Sequence, residues 1–117
     1  MMLWKYSGLF LSLTGVLHTC VAIINYGDKY KGMISDGLIR SLSDADRALA
    51  FWFLVIGALL IIMGQTLSHY IKQTQQPPPL FLGYTLLVFS IVGCLIVPVS
   101  GFWLFIPQAL IIMLAKR

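Results

Sequence analysis

The sequence predicts an all-α protein, a bundle of four transmembrane helices with a short amphipathic interfacial helix in the first loop, folded as one domain over residues 1–117. Three observations predict it. Four apolar segments, Leu3 to Ile24, Ala48 to Tyr70, Leu80 to Val97 and Gly101 to Ala115, contain no carboxylate. All four acids, Asp28, Asp36, Asp44 and Asp46, fall between the first two segments. A hydrocarbon core about 30 Å thick takes about 20 helical residues to cross, so four crossings use nearly the whole chain.

Composition excludes the soluble classes. With 59% hydrophobic and 10% charged residues and a mean hydropathy of +0.90, a water-soluble domain of this size would expose large apolar patches and associate. The net charge of +4 comes from eight Lys and Arg scattered over segment ends. They read as topology anchors and not as a nucleic-acid surface, so no nucleic-acid partner is expected. Lys5 ahead of an apolar run resembles a secretory leader, but the run is too long for one and no A-x-A-like site follows. The first segment reads as a retained helix.

The first helix is expected to end at Asn25-Tyr26-Gly27-Asp28, where Gly and charge close the apolar pattern. In the loop beyond it Met33, Ile34, Leu38, Ile39 and Leu42 recur at helical spacing among charges, which predicts the interfacial helix, interrupted at Gly37. Ser43-Asp44-Ala45-Asp46 approximates a capping box with Ser43 as the cap. The second helix then runs about 45 Å from near Asp44 to Gln73, longer than a bilayer core. Pro77-Pro78-Pro79 stops it, and so short a link makes helices two and three antiparallel neighbours. Pro98 ends the third helix; the fourth is short and carries Pro107, which would free a carbonyl one turn earlier.

Four crossings put both termini on one side. Lys5, Lys72, Lys116 and Arg117 mark that side without an acid, against Lys29, Lys31, Arg40 and Arg47 mixed with four Asp opposite. The cations tie at four each, so the clean segregation is what favours cytoplasmic termini, and the tie also admits dual insertion.

At Gly15-Val16-Leu17-His18, at Arg47 followed by Ala50-Phe51-Trp52-Phe53 and Gly57, and at Pro98-Val99-Ser100-Gly101-Phe102-Trp103, the chain resembles a bacterial family of small four-helix inner-membrane proteins of unknown function. The resemblance covers nearly the whole chain and implies the fold and an inner-membrane location. A looser similarity to DoxX-type four-helix proteins suggests membrane redox chemistry by analogy.

Counting down each helix places the polar membrane residues by depth. His18, Trp52, Ser90 and Gln108 all fall roughly 9 to 12 Å below one surface. The turn through Ser100 and Trp103 caps that layer, and Arg47 stands at its rim. These seven residues form the candidate ligand site, an outer-leaflet cavity for a small amphipathic molecule such as a lipid or quinone. His18 carries most of the argument, because a titratable group inside hydrocarbon is costly; its bland alternative is an imidazole satisfied by Gln108, Ser90 or a backbone carbonyl. Arg47 is read equally as a loop anchor paired with Asp44 or Asp46.

The small-residue stripes Gly8, Ser12, Gly15, Thr19, Ala22 and Ala50, Gly57, Gly64 are packing devices, within the bundle or between copies. Cys20 and Cys94 lie at similar depth without a C-x-x-C motif, the basis of a redox alternative. No metal site is expected, since His18 and Cys20 point to different helix faces. His69 is about 20 Å or more in depth from His18, which excludes a bis-His haem and leaves a singly ligated or dimer-shared one. The reading is thus a non-enzymatic membrane protein that binds membrane lipid, with a redox or haem-associated protein and a subunit of a homodimer or larger complex as alternatives.

Overall fold

The computed structural model describes residues 3–98 and 101–117. These residues are helical throughout apart from turns and links: α1 (Ser7–Ser35), α2 (Ala45–Thr74), α3 (Leu80–Ile96) and α4 (Phe105–Met113), with single 3₁₀ turns over Leu3–Tyr6 and Gly101–Leu104. Two of the four, α1 with its leading turn and α2, are long and apolar enough to cross a membrane; α3 and α4 are shorter apolar helices.

The main interface follows from the small-residue stripes. Ser7, Gly8, Leu11, Ser12, Gly15 and Ala22 form the buried face of α1, and Ala50, Gly57, Gly64, Leu67 and Ile71 that of α2. The two helices run antiparallel with their backbones almost touching. A methyl group built on Gly64 would lie 2.7 Å from the carbonyl oxygen of Gly8, and one on Gly15 would lie 2.9 Å from that of Gly57. Such proximity is available only to residues without a Cβ, which is why glycine repeats every seven positions on α2. Among the described residues, hydrogen bonds cross the seam at three places: Gln65 Nε2 donates to Ser12 Oγ (3.2 Å), His18 Nε2 to the Phe53 carbonyl (2.9 Å), and the Tyr30 hydroxyl to the Ala50 carbonyl (2.7 Å).

The second hairpin is α3 on α4. Gly83 meets Met113 and Ile112 at one end, and Gly93 lies under the Phe102 ring at the other. Phe89 packs edge to face on Phe102 and Phe105 beside it, and those two rings are tilted against each other, with centroids 5.3 to 6.5 Å apart. The two hairpins join through α1 and α4, and the N-terminal 3₁₀ turn touches α2 and α4.

Several expectations change. The break expected at Asn25-Tyr26-Gly27-Asp28 is a kink at Tyr26 (φ −122°, ψ 15°), beyond which α1 continues to Ser35; of the expected interfacial helix only Met33 and Ile34 lie in this distal arm, while Leu38, Ile39 and Leu42 lie in the turns and link before α2. Contacts with the start of α2 sustain the arm, through the Tyr30 bond and a 3.8 Å pair between Lys29 and Asp46. It ends where Gly37 takes φ 87°. The cap of α2 is Asp44, one residue later than Ser43; its carboxylate accepts the Arg47 N–H at 2.8 Å. Pro107 lies in the first turn of α4, where a proline is tolerated because the first N–H groups of a helix have no partner within it.

The largest correction concerns α2 and α3. Although joined by only five residues, they do not pack along their lengths. The proline link turns the chain sideways, and a groove opens between them.

The N-terminal 3₁₀ turn, the C-terminal residues and this link gather at one end of the described structure. Arg117 Nη1 donates to the Pro78 carbonyl (2.6 Å) and Nη2 to the Ile112 carbonyl (3.0 Å), while Gly8 faces Ser68 near the end of α2.

Candidate ligand site

Each residue of the expected polar layer is held by its own helix. His18 projects from α1 onto α2, its ring stacked on Phe53 at 4.0 Å between centroids and 13° between planes. Its partner is a carbonyl, which can only accept, so Nε2 carries the hydrogen. A backbone carbonyl, one of the partners weighed for His18, takes this bond. Ser90 is fully buried and its hydroxyl returns to the Leu86 carbonyl one turn back, at 2.5 Å. Trp52 is 59% exposed on the outer face of α2 and touches Phe51 edge-on. Trp103 is exposed too, its indole N–H donating to the Pro98 carbonyl at 2.8 Å. Ser100 lies outside the described residues.

Gln108 is the most informative member. It is 8% exposed on α4, and Nε2 donates both to Thr14 Oγ1 (2.7 Å) and to the Leu104 carbonyl (3.0 Å). The second acceptor fixes the amide orientation, because a carbonyl cannot donate to the other end. Oε1 is therefore the buried atom left without a partner. Thr14 is the residue that sequence reasoning missed. It is one turn from His18 on α1 and ties α4 to the first hairpin. Its signal in the sequence was available: a hydroxyl at i−4 from the histidine on the same helix face.

The layer thus resolves into a polar seam of Thr14 and Gln108 with His18 one turn away, a separate Ser90, and an outward Trp52. Shared depth did not bring the four together, because rise along a helix fixes height and leaves the direction around the axis open.

Arg47 anchors the first loop. Nη1 donates to the Asp36 carboxylate (2.6 Å) and to the Ser41 carbonyl (2.9 Å), and the guanidinium occupies the space left by the absent side chain of Gly32. The expected loop-anchor role is correct in kind; the ion-pair partner is Asp36, not Asp44 or Asp46. Cys20 is exposed on α1 and Cys94 buried on α3, both as free thiols. Among the described residues no cluster of three or more His, Cys, Asp or Glu could hold a metal.

The apolar surface of the described residues carries shallow depressions. One of about 490 Å³ follows a single face of α3 past Tyr84, Val88 and Val92. Another, of about 300 Å³, is the groove between helices: Ile62, Met63, Thr66, Leu67 and Tyr70 of α2 face Pro79 and Leu82. No sequence signal pointed to the second, since its lining has the same apolar types as the rest of α2.

A model of a family of unknown function, DUF6463, matches residues 2–117. The chain belongs to DUF6463. No curated protein and no solved structure matches it. The reading of this DUF6463 member therefore rests on its own residues: a glycine-welded hairpin, a second hairpin attached through Thr14 and Gln108, and an apolar groove between them.

Proposed function

We propose that this DUF6463 protein is a non-enzymatic integral protein of a bacterial inner membrane that holds a small amphipathic molecule of the bilayer, a lipid or a quinone, against its helices. One observation carries the reading: large apolar side chains cover the outside of the molecule while many of the helix contacts are made by small or polar residues. Leu9, Leu13, Leu17, Ile24, Leu59, Ile62, Phe81 and Leu95 face outwards, and Ser7, Gly8, Ser12, Gly15, Gly57, Gly64, Ser90 and Gln108 are buried beside larger core residues such as Leu11, Leu67 and Ile71. Water would be squeezed against the larger apolar side chains in such an arrangement, whereas hydrocarbon solvates them at no cost and leaves the small residues to set helix contact. The open groove supports the ligand part, because two helices joined by a short link and left unpacked present an apolar slot to the acyl region.

Washing isolated membranes with alkaline carbonate, then extracting the gently purified protein for lipid and quinone mass spectrometry, tests both parts. The protein should stay in the pellet and carry about one amphipathic molecule per chain. Release into the wash refutes the membrane reading. A visible chromophore in the purified protein would instead favour the haem-associated alternative.

A further inference from the structure

We propose that the groove between α2 and α3 is a binding site for an anionic phospholipid, with an acyl chain in the slot and the phosphate at Arg117. This rests on the membrane reading above and goes beyond it in naming the lipid class and the residue that selects it.

The groove is open and apolar along Ile62, Met63 and Leu82, and Pro79 of the link lines it too. The end of the fold that holds the link is where charge collects. Arg117 Nη1 holds the carbonyl of Pro78, the residue before the proline that lines the groove, at 2.6 Å, and Nη2 holds the Ile112 carbonyl at 3.0 Å, so the guanidinium is fixed beside the link by two backbone carbonyls. These bonds use two of its five N–H donors and none of its charge. Tyr70, another lining residue, places a phenol on the adjacent stretch of α2.

No side-chain acid follows Asp46 in the sequence, and both ion pairs among the described residues, Lys29 with Asp46 and Arg47 with Asp36, lie at the opposite end. Lys5, Lys72 and Lys116 belong to the same end as Arg117, which has no side-chain acid, although Lys72 falls on the far side of α2 from the groove. A planar guanidinium with spare donors, beside an apolar slot and without a side-chain carboxylate, matches a phosphodiester attached to a hydrocarbon chain. A zwitterionic lipid would offer the same phosphate but carry its own ammonium to this cationic end.

Native mass spectrometry of the full chain in micelles doped with phosphatidylglycerol or phosphatidylcholine tests this. The protein should retain phosphatidylglycerol about tenfold better, the equivalent of one charge-assisted hydrogen bond. Arg117→Gln should remove that preference, and Arg117→Lys, which keeps the charge, should keep part of it. Met63→Trp, which fills the slot without touching the charge, should lower retention of both lipids. Circular dichroism melting of each variant separates lost binding from lost fold. Equal retention of both lipids by the parent protein, or unchanged retention by Met63→Trp, overturns the proposal. So does efficient disulfide trapping of a dimer through Thr66→Cys, which would assign the groove to a second copy. Each of these failures leaves the carbonate result intact, so a failure of the lipid site is distinguishable from a failure of the membrane reading.

Discussion

Gly64 and Gly27 show how differently one residue type can serve a chain. At Gly64 an added methyl group would come 2.5 Å from the Ser12 amide nitrogen and 2.7 Å from the Gly8 carbonyl oxygen, backbone atoms that cannot yield without moving a helix. Around Gly27 nothing lies within 4 Å. Gly64→Ala should therefore cost about 1–3 kcal/mol, the usual range for forced overpacking. Gly27→Ala should be neutral or add up to about 1 kcal/mol by reducing backbone freedom. Unfolding titrations in mixed detergent micelles would check the pair, and equal effects would show that α1 and α2 are not held by close glycine approach. His18 illustrates the other residue-scale lesson. Its type and depth marked it as a candidate, but a carbonyl on the neighbouring helix already uses its Nε2–H.

The distal arm of α1 and the start of α2 are locked by the Arg47 cluster, and the next prediction belongs to that pair of elements. Asp44 caps α2 through the Arg47 backbone N–H, while the Arg47 side chain reaches back to Asp36 and Ser41. The arginine side chain is 17% exposed and the aspartate 57%, so solvent screens the ion pair strongly. A double-mutant cycle over Arg47→Met and Asp36→Asn should give a coupling of about 0.5–1 kcal/mol that shrinks as salt rises. A salt-independent coupling would identify packing against Gly32 as the main interaction. The sequence marked Arg47 as the loop anchor, but it could not choose among four aspartates within twenty residues, because that choice depends on where the Tyr26 kink aims the arm.

For the whole molecule, the arrangement of ends determines how it would sit in a bilayer. Lys31 lies on the distal arm of α1 and Thr74 at the end of α2; both are exposed, at opposite ends of the fold. In the orientation that the cation pattern favours, Lys31→Cys in a chain lacking Cys20 should react with a membrane-impermeant maleimide in intact cells. Thr74→Cys should react only after permeabilisation. Equal labelling of both would establish dual insertion, the alternative admitted by the tie of four cations at each end. The helix lengths matter here as well. At 1.5 Å per residue α2 is about 45 Å long and α3 about 25 Å, so the two hairpins cannot match one bilayer thickness without tilt or local thinning.

Residue type and spacing were enough for the helical class, the four apolar segments, the start and stop of α2, the stop of α3, and the small-residue faces of α1 and α2. These features are local: prolines, glycines, capping carboxylates and seven-residue repeats act within a turn or two of where they stand. The tertiary structure decided the continuation of α1 past Tyr26, the Asp36 partner of Arg47, the link from Gln108 to Thr14, and the opening between α2 and α3. Each depends on how one helix is rotated or splayed against another. In an apolar helix the same Leu, Ile and Met pattern suits a neighbouring helix, a lipid tail or a groove, so periodicity alone cannot tell these surroundings apart.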